Sequence, residues 1–186
     1  AWDPIDTVIK LSVKPGFGLK SENKPATMSA EEVPGWGLSR AVDGDMGSGW
    51  SSEVARGAHK PWIILDLQES VSIERVHLFG RVFQNKVGHC FPSDFTFSVS
   101  DDGKQFRDVL SVKDHTINVA DDVAKDDKLL NGVISESGSH LSSDFPQYFT
   151  LPKGTNGRYF RVTGDKLKDE MRMQFTEIEV FGQKVK

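Results

Sequence analysis

Turn signals recur along the whole chain, and short runs with the two-residue period of β-strands lie between many of them. Pro15-Gly16, Pro34-Gly35, Asp43-Gly44, Asp102-Gly103, Asn131-Gly132 and Asn156-Gly157 supply the turns. Phe95-Thr96-Phe97-Ser98-Val99-Ser100 alternates strictly, which puts Phe95, Phe97 and Val99 on one face. Asp101-Asp102-Gly103 then turns the chain into residues 106–112, a hairpin. Trp62-Ile63-Ile64-Leu65-Asp66-Leu67 is a near-continuous apolar run that reads as a buried strand, and residues 73–79 follow it after a short polar turn. Residues 148–151 and 158–162 read as another pair around Asn156-Gly157. Residues 175–181 close the chain, with Glu177 and Glu179 alternating against Ile178 and Val180. No window holds a sustained 3.6-residue period. Short helical turns are expected at most near 38–42 or 125–130. About eight strands without α/β alternation predict an all-β fold, an antiparallel β-sandwich or jelly roll.

Its 186 residues suit one domain. Residues 1–25 read as an N-terminal strand and lead-in, and residues 26–186 as the sandwich. Residues 113–145, rich in Asp, Ser and Lys, read as an inserted loop with a short strand at 116–119. The acidic residues Asp121, Asp122, Asp126 and Asp127 alternate with Lys125 and Lys128, the pattern of a solvated loop. The 12 Phe and 4 Trp against 2 Tyr fit a sandwich core. A net charge of −4 without a basic cluster argues against nucleic acid or anionic membrane as partner. The single cysteine, Cys90, excludes an intrachain disulfide. No apolar stretch approaches the roughly 20 residues that span a bilayer, and no signal peptide is visible at Ala1. The abrupt start and the polar Lys184-Val185-Lys186 end read as those of a mature or excised piece.

Enzyme signatures are missing. There is no His-Glu-x-x-His and no Gly-x-Ser-x-Gly, and Gly16-Phe17-Gly18 meets Ser21 where a dinucleotide loop needs a third glycine. Cys90 beside His89 is no dyad signal, because dyad partners meet in space. No catalytic residue is assigned.

Three segments in order carry a family resemblance. The first is Ala41-Val42-Asp43-Gly44-Asp45 … Gly49-Trp50-Ser51-Ser52 with Pro61 to Leu67. The second is Val76-His77-Leu78-Phe79-Gly80-Arg81 … Pro92 to Gly103. The third is Gly157-Arg158-Tyr159-Phe160-Arg161-Val162 … Phe175 to Gly182. Together they resemble the discoidin, or factor V/VIII type C, superfamily, and most of all the family 32 carbohydrate-binding modules of bacterial glycoside hydrolases. The Gly88-His89-Cys90-Phe91-Pro92 segment resembles versions from gut Bacteroidetes.

The resemblance implies a galactose-binding-domain-like sandwich with a structural calcium ion. Asp43-Gly44 makes a tight turn in which glycine accepts positive φ, and calcium takes six to eight oxygens of mixed type. By position, the ligands are the carbonyls of Arg40, Asp45 and Thr176, the carboxylates of Asp43 and Glu177, and Ser48 through hydroxyl and carbonyl. An EF-hand is excluded, because Val54 stands twelfth from Asp43. Read alone, Asp43-Gly44 is also an ordinary Asx turn.

The resemblance further implies a glycan site on the loops at one end. Sugar recognition needs an aromatic face and planar, charged hydrogen-bonding groups. Arg81, Phe83, Asn85, His89 and Phe91 supply these from one loop, and Trp36 supplies them from the loop that also carries Glu31 and Glu32. Residues 165–173 offer a third wall. Trp50 and Trp62 read as core. Galactose-binding members often carry His after the conserved Trp; here it is Ser51, which points to another sugar or to a decayed site. The expected protein is therefore a monomeric, non-catalytic glycan-binding module, secreted, periplasmic or on a bacterial surface. The alternative is a discoidin-type interaction or adhesion domain for protein or phospholipid.

Overall fold

A computed structural model of the chain describes residues 17–29, 33–45, 47–83, 86–117 and 146–185. Among them run twelve β-segments and two short 3-10 turns, Leu38–Ala41 and Asp169–Met171. The strand count exceeds the expected eight because short segments escape a search for alternating runs, among them the two short pairings of Trp50–Ser51 with Gln174–Phe175 and of Arg81–Phe83 with Lys86–His89.

The strand β4 (Trp62–Phe79) organises everything else. The sequence suggests two strands parted by a turn, but the chain runs on as one strand of 18 residues. Its polar middle is a bulge. Gln68 adopts a left-handed φ of 64°, and its N–H donates to Asp66 Oδ1 at 2.8 Å. The register against β10 (Asn156–Lys166) jumps from Asp66 to Val71 there. A bulge bends a strand and sharpens its twist without ending it.

The two halves of β4 belong to different layers. The first half pairs with β2 (Ala26–Met28) and with β10. From β10 that layer continues to β7 (Asp94–Ser100) and β8 (Arg107–Val112). The second half pairs with β9 (Pro146–Thr150) and with β12 (Glu177–Lys184), whose outer edge takes β1 (Gly18–Leu19). All pairings are antiparallel. Phe149 of β9 meets Phe95 and Phe97 of β7 edge-on at 5.3 and 5.4 Å, which closes one layer on the other. This is a sandwich whose corner is made by a strand that switches sheets.

Three sequence expectations are corrected. Residues 148–151 and 158–162 do not pair: β9 fills the edge beside Arg75–Phe79, whereas β10 fills the edge beside Trp62–Asp66. The intervening residues carry the chain across β4, with Ile73 N–H donating to Thr155 O at 2.8 Å. Trp62 is half-buried, because burial along the first half of β4 alternates and Ile63, Leu65 and Leu67 take the core side. Thr116 and Ile117 form no strand. Residues 118–145, including the acidic cluster and the turn expected at 125–130, lie outside the described residues, as do residues 1–16.

The expected hairpin of β7 and β8 forms across Asp101-Asp102-Gly103. Asp102 receives the Lys104 and Gln105 N–H groups and the Ser100 hydroxyl, and these hold its carboxyl down at about 2. Trp50 is buried as expected and stacks on Phe175, with centroids 6.1 Å apart.

Phe97 is fully buried against Phe95, Phe149 and Phe160. Phe97→Ala is expected to cost about 3–5 kcal/mol. Urea unfolding checks this, with the midpoint falling at an unchanged slope.

Candidate functional site

The loop end of the sandwich brings together two groups of residues. The first group surrounds the turn after the Leu38–Ala41 helix. Gly44 has φ 77°, as the Asp43-Gly44 pair requires. Asp43 Oδ1 accepts the Asp45 N–H at 2.9 Å, and Asp43 Oδ2 accepts the Ser48 hydroxyl at 3.2 Å. The Ser48 hydroxyl and N–H also reach the Asp45 carbonyl. Glu177, the first residue of β12, sends Oε2 to the Gly44 N–H at 3.2 Å, across 133 residues of sequence. Thr176 precedes it, fully buried, with its N–H and hydroxyl on Phe79 O. The expected ligand residues Asp43, Asp45, Ser48 and Glu177 thus converge on one turn, with Thr176 preceding Glu177 in the chain. Arg40 shares a small pocket with Ser48 beside it.

Glu177 is 2% exposed. Burial pushes its carboxyl up to about 8; the Gly44 N–H opposes that, and Asp43, Glu179 and Glu22 add to it. A buried carboxylate facing other carboxylates is costly unless a cation offsets it. That charge deficit, with hard oxygen donors around it, is what a calcium ion fits.

The second group is a rim of aromatic side chains around Arg81. β5 (Arg81–Phe83) and β6 (Lys86–His89) form a hairpin in which Arg81 pairs with His89. The Arg81 guanidinium lies 4.5 Å from the Trp36 ring centroid and 4.3 Å from that of Phe83. Arg81 is thus held between two aromatic residues by cation–π attraction. Burial lowers its ordinary pKa, which Cys90 and Glu170 partly offset, and an arginine retains its charge under such conditions. Its Nε has no hydrogen-bond partner among the described residues. His89 lies 5.0 Å from the Phe83 ring, and its Nε2 is 3.3 Å from Glu170 Oε1.

One expectation for this rim needs revision. Phe91 is buried, packed edge-on against Phe95 and Phe175 at 5.9 and 5.2 Å, so it is the floor beneath the site rather than a face for sugar. Asn85, Glu31 and Glu32 lie outside the described residues. Trp36, Arg81, Phe83 and His89 do come together.

Gln174 is a residue that sequence reasoning missed. It sits on β11 (Gln174–Phe175), opposite Ser51 of β3 (Trp50–Ser51). Its Oε1 accepts from Arg81 Nη1 at 3.4 Å, and its Nε2 donates to the Ser51 hydroxyl at 3.0 Å. The buried Ser51 therefore does not meet ligand; through Gln174 it sets the attitude of Arg81. No motif flags such a relay, because its members stand 93 and 123 residues apart. The expected third wall is present as the Asp169–Met171 turn, where Asp169 Oδ2 accepts the Cys90 N–H at 3.3 Å. Burial pushes the Cys90 thiol up to about 12, which makes it an inert packing group.

A family model described as the F5/8 type C domain matches residues 25–177. The chain belongs to this family. No curated protein sequence matches it. Among solved structures, this F5/8 type C domain is similar to chitosan-binding module 1 of a chitosanase/glucanase from Paenibacillus sp. IK-5. That likeness has a TM-score of 0.60 and 23% identity over 89% of this chain and 99% of that one. The C-terminal domain of a chitobiase from Bacteroides fragilis is similar at TM-score 0.61 and 16% identity, over 90% and 99%. The family 32 module of Clostridium perfringens NanJ, solved with galactose, is similar at TM-score 0.61 and 11% identity, over 89% and 98%. At such identities the shared property is the discoidin-like β-sandwich.

The raised Glu177 carboxyl has a pH consequence. In metal-free protein the native state keeps this proton to about pH 8, whereas an unfolded glutamate loses it near 4.3. The native state binds more protons in between, so stability falls as pH rises through that window. Glu177→Gln should flatten the fall. Urea unfolding at pH 5 and pH 8 in chelator checks it.

Proposed function

We propose that this F5/8 type C domain is a non-catalytic carbohydrate-binding module that holds glycan on the Trp36–Arg81–Phe83–His89 rim. The observation that carries this reading is the half-buried Arg81 guanidinium held against the Trp36 and Phe83 rings at the loop end. Aromatic rings take the C–H face of a sugar, and a pre-oriented guanidinium donates to its hydroxyls in plane. The match to carbohydrate-binding sandwiches over nearly their whole length supports the same reading. The reading makes the chain a monomeric attachment to a secreted, periplasmic or surface-bound bacterial glycoside hydrolase, with no reaction of its own. Ser51 in place of the histidine of galactose binders favours a sugar other than galactose.

The same proposal gives the domain a structural calcium ion. Asp43 and Glu177 supply carboxylates, Ser48 supplies hydroxyl and carbonyl, and Arg40, Asp45 and Thr176 supply carbonyls. The ion neutralises the buried Glu177 and locks the 43–48 turn to β12, next to the segment that carries Trp36.

A single shallow rim immobilises few ligand atoms, so affinity is expected on the order of 0.1–1 mM, with avidity from neighbouring modules making up the difference. Arg81→Ala should weaken binding by about tenfold or more in protein whose folded state is verified by circular dichroism. A glycan array followed by calorimetry on the best sugar tests this. Silence on every glycan, with retention on liposomes or on a protein partner, would replace the proposal with an interaction or adhesion role.

Calcium at a hundredfold excess over its dissociation constant should add about 2.7 kcal/mol of stability. The melting temperature should rise with calcium and drop with chelator. A melting temperature indifferent to both would remove the metal from the proposal.

A further inference from the structure

Adjacent residues of a strand point to opposite faces, yet His89 and Cys90 reach the same neighbouring turn. β6 ends at His89, and the chain turns there, with Gly88 O accepting the Phe91 N–H at 3.0 Å. Cys90 takes the left-handed place in this turn, with φ 60°. The Asp169–Met171 turn faces it. Asp169 Oδ2 accepts the Cys90 N–H and Asp169 O accepts the Cys90 thiol, both at 3.3 Å. The Cys90 carbonyl accepts the Gln174 N–H at 3.1 Å. Glu170 Oε1 lies 3.3 Å from His89 Nε2. A ring nitrogen of His89, the Cys90 Sγ and a carboxylate oxygen of Glu170 thus all lie within 4.8 Å of one another.

The donor set is one nitrogen, one sulfur and one oxygen. Zinc binds all three types, at about 2.0–2.3 Å, and a tetrahedron of that size sets its donors roughly 3.3–3.7 Å apart. The His89–Glu170 pair already has that spacing, and the sulfur has at most about 1.5 Å to close. Calcium and magnesium, which want oxygen, do not suit a thiolate. Around the thiol the charges are even among the described residues: Asp169 and Glu170 stand against Arg81 and Arg172. Donor type, and not a surplus of charge, therefore selects the ion. Asp169 Oδ2 also lies 4.0 Å from His89 Nδ1, in the place of the outer carboxylate that orients a metal-bound histidine. Without an ion the thiol is protonated and inert; coordination releases its proton to solvent, because a metal-bound thiol is deprotonated outright.

We propose that His89, Cys90 and Glu170 form a zinc site, with water completing the tetrahedron. The ion ties the turn after β6 to the Asp169–Met171 turn, and so fixes two walls of the rim around Arg81 to each other. It enters from the side of Glu170, whose side chain is 57% exposed, whereas His89 is 11% exposed and Cys90 is fully buried. With Nε2 on the ion, hydrogen bonding to a sugar rests on Arg81, and His89 contributes its packing against the Phe83 ring. The zinc site is independent of the glycan reading, since no part of it needs a sugar.

Cobalt(II) is the probe, because a cobalt–thiolate bond absorbs in the near ultraviolet and a tetrahedral cobalt ion absorbs strongly in the visible. The untagged domain is titrated with cobalt and then with zinc, in excess calcium so that oxygen-only sites are blocked. One cobalt per chain should give both absorptions, and zinc should displace it. Cys90→Ala should remove the near-ultraviolet band. Glu170→Gln and His89→Ala should each weaken zinc binding by at least about tenfold, since even outer-shell partners cost that much. Glu170 is exposed, so Glu170→Gln tests the site even where Cys90→Ala fails to fold, and circular dichroism verifies each variant. A wild-type titration without the near-ultraviolet band, or a zinc affinity unchanged in Glu170→Gln or in His89→Ala, overturns the zinc site. None of these readouts involves a sugar, so that outcome leaves the glycan reading as it stands.

Discussion

The structure depends on a strand that refuses to end. β4 could close after Leu67, where the sequence turns polar, but a left-handed Gln68 and an Asp66 carboxylate that accepts its N–H bend the strand instead. Its apolar residues then face the same interior from two layers, with Ile63 and Leu65 from one and Val76 and Leu78 from the other. Arg158 clamps the outside of the bend through two 2.7 Å hydrogen bonds to Asp66. Because β4 is shared, β9 and β12 can pack against β7 and β10 without a separate hinge. The strand leaves the core at Phe79, and two residues later comes Arg81. The rim around Arg81 is therefore mounted directly on the most constrained element of the fold.

Behind the rim, polar contacts orient the cation and apolar contacts support it. Ser51 and Gln174 belong to two short paired strands and reach Arg81 from the buried side. Phe91 and Phe175 fill the space beneath, edge to face. Trp36 and Phe83 both hold the guanidinium against their rings. An arginine so restrained has little conformational entropy left to lose on meeting a ligand, which is what preorganisation means for a weak site.

The 43–48 turn and the rim are electrostatically unlike. One concentrates carboxylates around a buried glutamate, and the other concentrates cations among aromatic rings. They are held apart by the backbone from Trp36 to Trp50, which belongs to both. Neutralising the Asp43–Glu177 pair would steady this stretch of chain and with it the indole that faces Arg81.

Much of this was readable in the sequence. Alternation in residues 95–100, the turn at 101–103 and the absence of a helical period determined an antiparallel all-β fold, because side-chain period and turn chemistry are local properties. Three motifs in order determined the family and the convergence of Asp43 with Glu177. Only the tertiary structure decided that residues 62–79 are one strand, because a polar triplet reads equally as a turn or as a bulge until its neighbours pair. It also decided that Phe91 lies under the rim and not on it, since the direction of a side chain depends on what packs behind it. The Ser51–Gln174–Arg81 relay exists only in three dimensions, because its members come from segments far apart in the chain and carry no pattern that spacing alone could reveal.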